Sequence, residues 1–273
     1  MEENRKNENM QSDKRDTGKI ARSATGTCIT LIGAMACYVT RAEAIAEGAG
    51  MFRKVLFTGS LIAVIVGLLI LGTAFMPKQK TDIRKLTMAA MMAALCYIGF
   101  AFLKIDIPVP GSMEKSAFHL GNVFCVLAAL ILGGVWGGLA GAVGMTIGDL
   151  FGGYVTSAPK TFFLKLCIGL ITGLFAHRIL NLAQEKERKK VVWKTVVSAS
   201  AGMLFNVVFD PLVGYFYKKY LFGLPQDIAA TLSKIGAGTT FVNAVVAVFA
   251  ASVFYIALRP ALKHMGIIEE QPK

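Results

Sequence analysis

The sequence predicts an all-α membrane protein: a block of six transmembrane helices preceded by an extra N-terminal transmembrane helix or hairpin. Three observations carry this. Hydrophobic residues make up 55% of the 273, and mean hydropathy is +0.57, values that soluble domains of this length rarely reach. The apolar residues gather into runs of roughly 20, the length an α-helix needs to cross a bilayer core, whereas barrel strands would alternate. Charged residues stand in short pieces between the runs. In lipid only helices or closed barrels satisfy the backbone.

The net charge of +12 would suggest a nucleic-acid partner in a soluble chain. Here the basic residues lie mostly between apolar runs, where they set topology, and no nucleic acid is expected. Cys28, Cys37, Cys96, Cys125 and Cys167 each sit inside an apolar run, and none forms a CxxC pair. Such cysteines act as small hydrophobes, so neither a metal site, a cofactor nor a disulfide framework is expected.

Residues 1–22 are polar and charged and read as a disordered cytoplasmic tail. Residues 23–80 read as a transmembrane hairpin. Its second arm, Val55–Phe75, is strongly apolar. Its first, Ser23–Thr40, is weakly apolar and stays open between a span, an interfacial helix and a signal sequence, because "AEA" (Ala42–Ala44) resembles a cleavage site.

The six-helix block occupies 81–265, with spans at 86–104, 118–135, 137–151, 161–179, 193–212 and 236–258, and 266–273 as a closing tail. The loop Ala183–Lys190, "AQEKERKK", is the strongest basic cluster and should be cytoplasmic, which places both ends of the block inside. A single helix over Phe118–Phe151 would be about 50 Å long against a core of about 30 Å, so it must turn back. "GGVWGG" (Gly133–Gly138) is the turn. Beyond it Gly137, Gly141, Gly144 and Gly148 recur at three- and four-residue steps and form one flat face for close helix packing.

Ionisable and amide groups inside a membrane are costly and suggest function by default. His119 and Asn122 open the second span, Asp149 closes the third, and Lys160 and Lys165 flank the start of the fourth. Asn206 and Asp210 lie one turn apart near the end of the fifth, where Pro211 ends or kinks the helix. Asn243 lies in the sixth. By the topology above, all fall in the outer half of the bilayer, with Tyr154, Phe162, Tyr215 and Phe216 joining from outer loops. Singly, these residues have ordinary explanations as snorkelling lysines or interhelical hydrogen bonds. Together they describe a mixed-polarity pocket open to the outside, fit for a small polar or aromatic solute. The chain lacks a GxxxxGK[ST] phosphate loop and an HExxH zinc motif, and no catalytic residue is expected.

From Lys85 onward the sequence resembles the substrate-binding S components of energy-coupling factor (ECF) vitamin transporters. The resemblance rests on "KLTMAAMMAALCYIGF", "FHLGNVFCVLAALILGG", "GGLAGAVGMTIGDLFGGYVTSAPKTFFLK" and "FNVVFDPLVGYFY". It is similar to the branch with riboflavin, pyridoxine and hydroxymethylpyrimidine carriers. It implies a non-catalytic, multi-pass plasma-membrane subunit that captures a water-soluble vitamin at the outer face. That subunit would dock on a separate ECF transmembrane coupling subunit driven by two cytoplasmic ATPases. The resemblance further implies docking through the small-residue face of the first span: Ala89, Ala90, Ala93 and Ala94. The ligand set is expected among His119, Asn122, Asp149, Tyr154, Lys165, Asn206, Asp210 and Asn243, beneath a lid at Ile105–Ser112. Two other classes stay open. A ligand-free membrane scaffold would explain the glycine and alanine faces but not the polar cluster. An intramembrane enzyme would use His119, Asp149 and Asp210 and would form product by itself.

Overall fold

The computed structural model describes residues 83–108, 115–152, 154, 157–221 and 223–268, with 23–29, 31–33, 35–36 and 63 from the N-terminal part. The tail 1–22, nearly all of the arm Val55–Phe75, residues 109–112 of the lid and 269–273 lie outside the described residues. The chain divides into two compact units, one holding residues 1–79 with 220–223 and the other 80–219 with 224–273. The second carries the elements described here.

In chain order these are α1 (Ile83–Ala101), β1 (Lys104–Pro108), β2 (Lys115–His119), α2 (Gly121–Leu132), α3 (Gly134–Phe151), α4 (Ala158–Gly173), α5 (Arg188–Phe216) and α6 (Gln226–His264). The unit is an α-helical membrane bundle. α1, α4 with its π-helical continuation to Ile179, α5 and α6 are each long and apolar enough to cross a bilayer.

α2 is the hub. Eleven of its twelve residues are buried, and it contacts all five other helices. A helix apolar all round belongs inside a bundle rather than against lipid. Its twelve residues span only about 18 Å, short of a bilayer core of about 30 Å. The expected second span, 118–135, is therefore trimmed at both ends. Its last carbonyls are met by His177: Nε2 lies 3.2 Å from the Ala129 oxygen and 3.1 Å from that of Leu130. A carbonyl only accepts, so Nε2 carries the proton.

The reversal between α2 and α3 is tighter than the sequence suggests. Gly133 alone makes it, at φ 84° and ψ 174°, and α3 starts at Gly134. A side chain at that φ would be strained, which is why a glycine stands there. The glycine face of α3 is spent on the bundle. A Cβ on Gly137 would lie 2.3 Å from the Ala129 Cα, and one on Gly144 would lie 2.2 Å from the Ala93 carbonyl oxygen. The face thus divides between α2 and α1, letting backbones meet.

Three other expectations shift. The segment after α1, expected as an outer proline- and glycine-rich loop, contains an antiparallel two-stranded hairpin pairing Lys104 with His119 and Ile107 with Ser116. His119 accordingly ends a strand and does not begin a helix. α5 runs on through Pro211 to Phe216. Proline removes one ladder hydrogen bond, which a helix packed in a bundle tolerates. α6 begins at Gln226, so part of the expected last outer loop is helical.

At the other end of the bundle, the loop between α4 and α5 is tied to α6 by Arg259. Its Nη2 donates to the carbonyls of Leu182 and Ala183, at 3.2 and 3.3 Å, and to that of Glu185. Glu185 in turn pairs with Lys194 at 2.7 Å and accepts from the backbone N–H groups of Lys186 and Glu187 at 3.1 and 3.2 Å. The Lys194 hydrogen bond, then those backbone donors, hold the Glu185 carboxyl down at about 2 from an ordinary 4.5. A depressed carboxyl stabilises the fold fully above its unfolded value and loses that contribution as pH falls through its folded one. Glu185→Gln should therefore flatten the loss of thermal stability between about pH 4.5 and about pH 2, compared with the wild-type chain in the same detergent. Parallel acid profiles for the two proteins would refute the role of this carboxylate.

Candidate functional site

Opposite that basic end, the helix termini and the hairpin enclose a cavity of about 430 Å³, within the range of small-molecule sites. Its wall draws on every helix and on β2. α1 gives Phe100, β2 gives Ser116, Ala117 and His119, and α2 gives Asn122. α3 gives Met145 and Asp149. Gly152, Tyr154 and Ser157 come from the α3–α4 turn, and Lys160, Thr161 and Lys165 from α4. α5 gives Asn206 and Asp210, and α6 gives Gly236, Thr239, Thr240 and Asn243. All eight residues singled out in the sequence thus line one cavity. Helical spacing explains part of this: Asn206 and Asp210 are one turn apart on one face of α5.

The eight divide by what their polar atoms already do. Asp210 is committed on both oxygens: Lys160 Nζ lies 2.8 Å from Oδ1, and the Thr240 hydroxyl donates to Oδ2 at 2.8 Å. Asn206 Oδ1 accepts from Lys165 Nζ at 3.3 Å. Asn243 works as an artificial strand neighbour. Its Nδ2 donates to the Ala117 carbonyl at 3.0 Å, and its Oδ1 accepts from the His119 N–H at 3.1 Å. A primary amide carries one donor face and one acceptor face, so it can bond a strand edge as a peptide would. The Ser116 and Thr239 hydroxyls, 2.7 Å apart, add a second tie between β2 and α6.

Tyr154 fastens β1. Its hydroxyl donates to Asp106 Oδ1 at 2.9 Å, and Lys104 Nζ reaches the same oxygen at 3.3 Å while lying 5.0 Å from the Tyr154 ring centroid. Burial first, then the bond to Asp106, pushes the phenol well above its usual range, so it remains a donor. Phe100 meets the His119 ring edge-on at 4.9 Å and the Tyr154 ring at 5.8 Å. This aromatic corner closes the hairpin side of the cavity.

Three atoms remain open. His119 Nδ1, Asn122 Oδ1 and Asp149 Oδ2 are buried and have no hydrogen-bond partner. Asn122 is 2% exposed and Asp149 4%. Lys165, also buried at 7% exposure, has three donors, one of which goes to Asn206. Buried polar groups in folded proteins are nearly always paired, so three orphans around one hollow call for an occupant. A molecule presenting both donors and acceptors would satisfy them.

Sequence reasoning missed Ser116, Thr161, Thr239 and Thr240 on this wall. The last two were findable, because they lie four and three residues before Asn243 on one helix face. Ser116 was not, since only the unforeseen strand turns it inward. The four alanines of α1 part company. Ala89 is buried and Ala93 half-buried against α3, whereas Ala90 and Ala94 are exposed.

Residues 80–260 match the family model described as the ECF-type riboflavin transporter, S component. Two curated relatives match shorter stretches. The chain is 32% identical over 76 residues to an uncharacterized MFS-type transporter of Bacillus subtilis (strain 168), covering 28% of this chain and 19% of that protein. It is 32% identical over 77 residues to an uncharacterized protein in a gap 3′ region of Pyrococcus woesei, covering 28% of this chain and 50% of that protein. The chain thus spans about a fifth and a half of their lengths. No solved structure matches the chain.

Proposed function

The chain belongs to the family of ECF-type riboflavin transporter S components, and from that membership we propose that its cavity captures riboflavin or a closely similar heterocyclic vitamin. As a family member it is a multi-pass membrane protein and a substrate-binding subunit of a vitamin transporter, not an enzyme. The observation that carries the proposal is the set of three partnerless buried atoms, His119 Nδ1, Asn122 Oδ1 and Asp149 Oδ2, on one cavity wall. A flat heterocycle with ring N–H and carbonyl groups supplies partners for all three and for Lys165, and Phe100 and Tyr154 offer ring faces and edges. Asn206, Asp210 and Asn243 act at one remove. Asn206 orients Lys165, Asp210 holds Lys160, and Asn243 holds the strand that forms one wall.

In this reading the hairpin is the outer lid, secured by Tyr154–Asp106 and Asn243–β2, and the basic end faces the cytoplasm. The subunit then docks on a coupling subunit worked by two ATPases, with Ala90 and Ala94 as the approachable pair on α1. Small residues admit a partner helix at close range.

The test is mass spectrometry of small molecules that co-purify with the detergent-solubilised chain, followed by flavin fluorescence quenching on addition of riboflavin. A flavin at about one per chain is expected. Protein that binds no flavin, pyridoxine-like or pyrimidine compound would overturn the proposal. For docking, Ala94→Leu should abolish co-purification with the coupling subunit and leave flavin binding intact, because the side chain faces outward. Undiminished association of Ala94→Leu would remove this face from the reading.

A further inference from the structure

A second cavity, of about 720 Å³, lies at the basic end between the start of α5 and the last third of α6. Its rim is cationic: Lys186, Arg188, Arg259 and Lys263. Its floor is apolar and includes Val191 and Ile256, and among the described residues no carboxylate lines it. From this we propose that the hollow is a binding site for an anionic phospholipid, with the phosphate among the four cations and an acyl chain along the apolar floor.

Lysines and arginines at one end of a membrane protein ordinarily do no more than set topology. Three features separate this cluster from that case. The nearby acids among the described residues are already used: Glu185 by Lys194 at 2.7 Å and Glu187 by Lys190 at 2.8 Å. Lys186 and Arg188, in contrast, have no ion-pair partner among the described residues. Arg259 spends its Nη2 on loop carbonyls, while its Nε is buried with no hydrogen-bond partner. A guanidinium donor left dry is costly unless an acceptor reaches it, and a phosphate oxygen is such an acceptor. The cations also surround a hollow and not a convex edge, with apolar side chains directly beneath. That combination matches an amphiphile carrying a negative head, and basic pockets between helices at a membrane face recognise lipid headgroups in this way.

The site shares no residue with the vitamin cavity, so its test is independent of the proposed transport substrate. The full chain is placed in nanodiscs of phosphatidylglycerol mixed with phosphatidylcholine, and retained lipid is counted by native mass spectrometry. Wild type should retain phosphatidylglycerol in preference. The pair Lys186→Gln and Arg188→Gln should cut that preference about thirtyfold, from the attraction expected of two basic residues beside an anionic head. The pair Lys85→Gln and Lys189→Gln removes the same charge from residues that do not line the hollow, and should leave the preference within about threefold of wild type. Equal loss in both pairs would reduce the effect to general surface charge and overturn the site. Equal retention of both lipids by wild type would overturn it as well. An undiminished preference in the Lys186/Arg188 pair would do the same.

Discussion

Asp149→Asn should abolish most vitamin binding and leave the fold intact. The change keeps the side chain's shape and removes its charge, and Oδ2 makes no hydrogen bond inside the protein that would be lost. What disappears is a charge-assisted bond to the ligand, about 1.5–3 kcal/mol, or roughly ten- to 150-fold in affinity. The opposite pattern is expected one helix away. Asp210→Asn breaks the 2.8 Å pair with Lys160 and weakens the Thr240 bond. Both partners of that pair are about a fifth exposed, so the loss should be nearer 1–2 kcal/mol of stability than the 3–5 of a fully buried pair. Isothermal titration with riboflavin and thermal unfolding of both variants separate the two roles. If Asp149→Asn binds riboflavin like wild type, the orphan oxygen is not a ligand contact. Stability that falls in Asp149→Asn and not in Asp210→Asn would reverse the assignment of site and scaffold.

That division of labour could not be read from the sequence, although the membership of the cavity could. Period and burial cost suffice to gather His119, Asn122, Asp149, Lys165, Asn206, Asp210 and Asn243 at one end of the bundle. Each is too polar for lipid, and each sits near the same end of its span. Which of them is already satisfied depends on contacts across more than 100 residues of chain, such as Asn243 with Ala117 and His119. No local pattern announces those. The hairpin was hidden for a related reason. "IDIPVPGS" carries two prolines and a glycine, strong loop signals, and the partner strand "KSAFH" is cut by the boundary between that loop and the apolar run that starts at Phe118. The shortness of α2 was also hidden, because hydropathy reports how apolar a segment is and not whether lipid or protein surrounds it. The alanines of α1 show the same limit. Spacing identifies two overlapping small-residue pairs, and only packing tells that one faces α3 and the other faces outward.

The glycines give the largest expected structural effect, and it falls between α3 and α4. A Cβ on Gly169 would stand 2.2 Å from the Gly138 Cα and 2.5 Å from its nitrogen. Those are backbone atoms, so no side chain can rotate away, and the two helices would have to part by more than an ångström. α3 is held on its other sides by α1 and α2, where Gly144 and Gly137 are equally tight, so parting from α4 disturbs those contacts too. Overpacking of this kind costs about 1–3 kcal/mol in ordinary cores. Here, with backbone against backbone, Gly169→Ala should lie at or beyond the upper end and sharply reduce the yield of folded protein. Alanine has the higher helix propensity by about 1 kcal/mol, so a glycine without such a neighbour should respond in the opposite sense. Gly238, inside α6 with nothing within 4 Å of its would-be Cβ, provides the comparison: Gly238→Ala should match or exceed wild-type stability. Thermal unfolding of the two variants, side by side in detergent, decides the matter. A Gly169→Ala protein as stable as Gly238→Ala would mean that α3 and α4 do not meet at this distance, and that the glycines of the fourth span owe their place to something other than close packing.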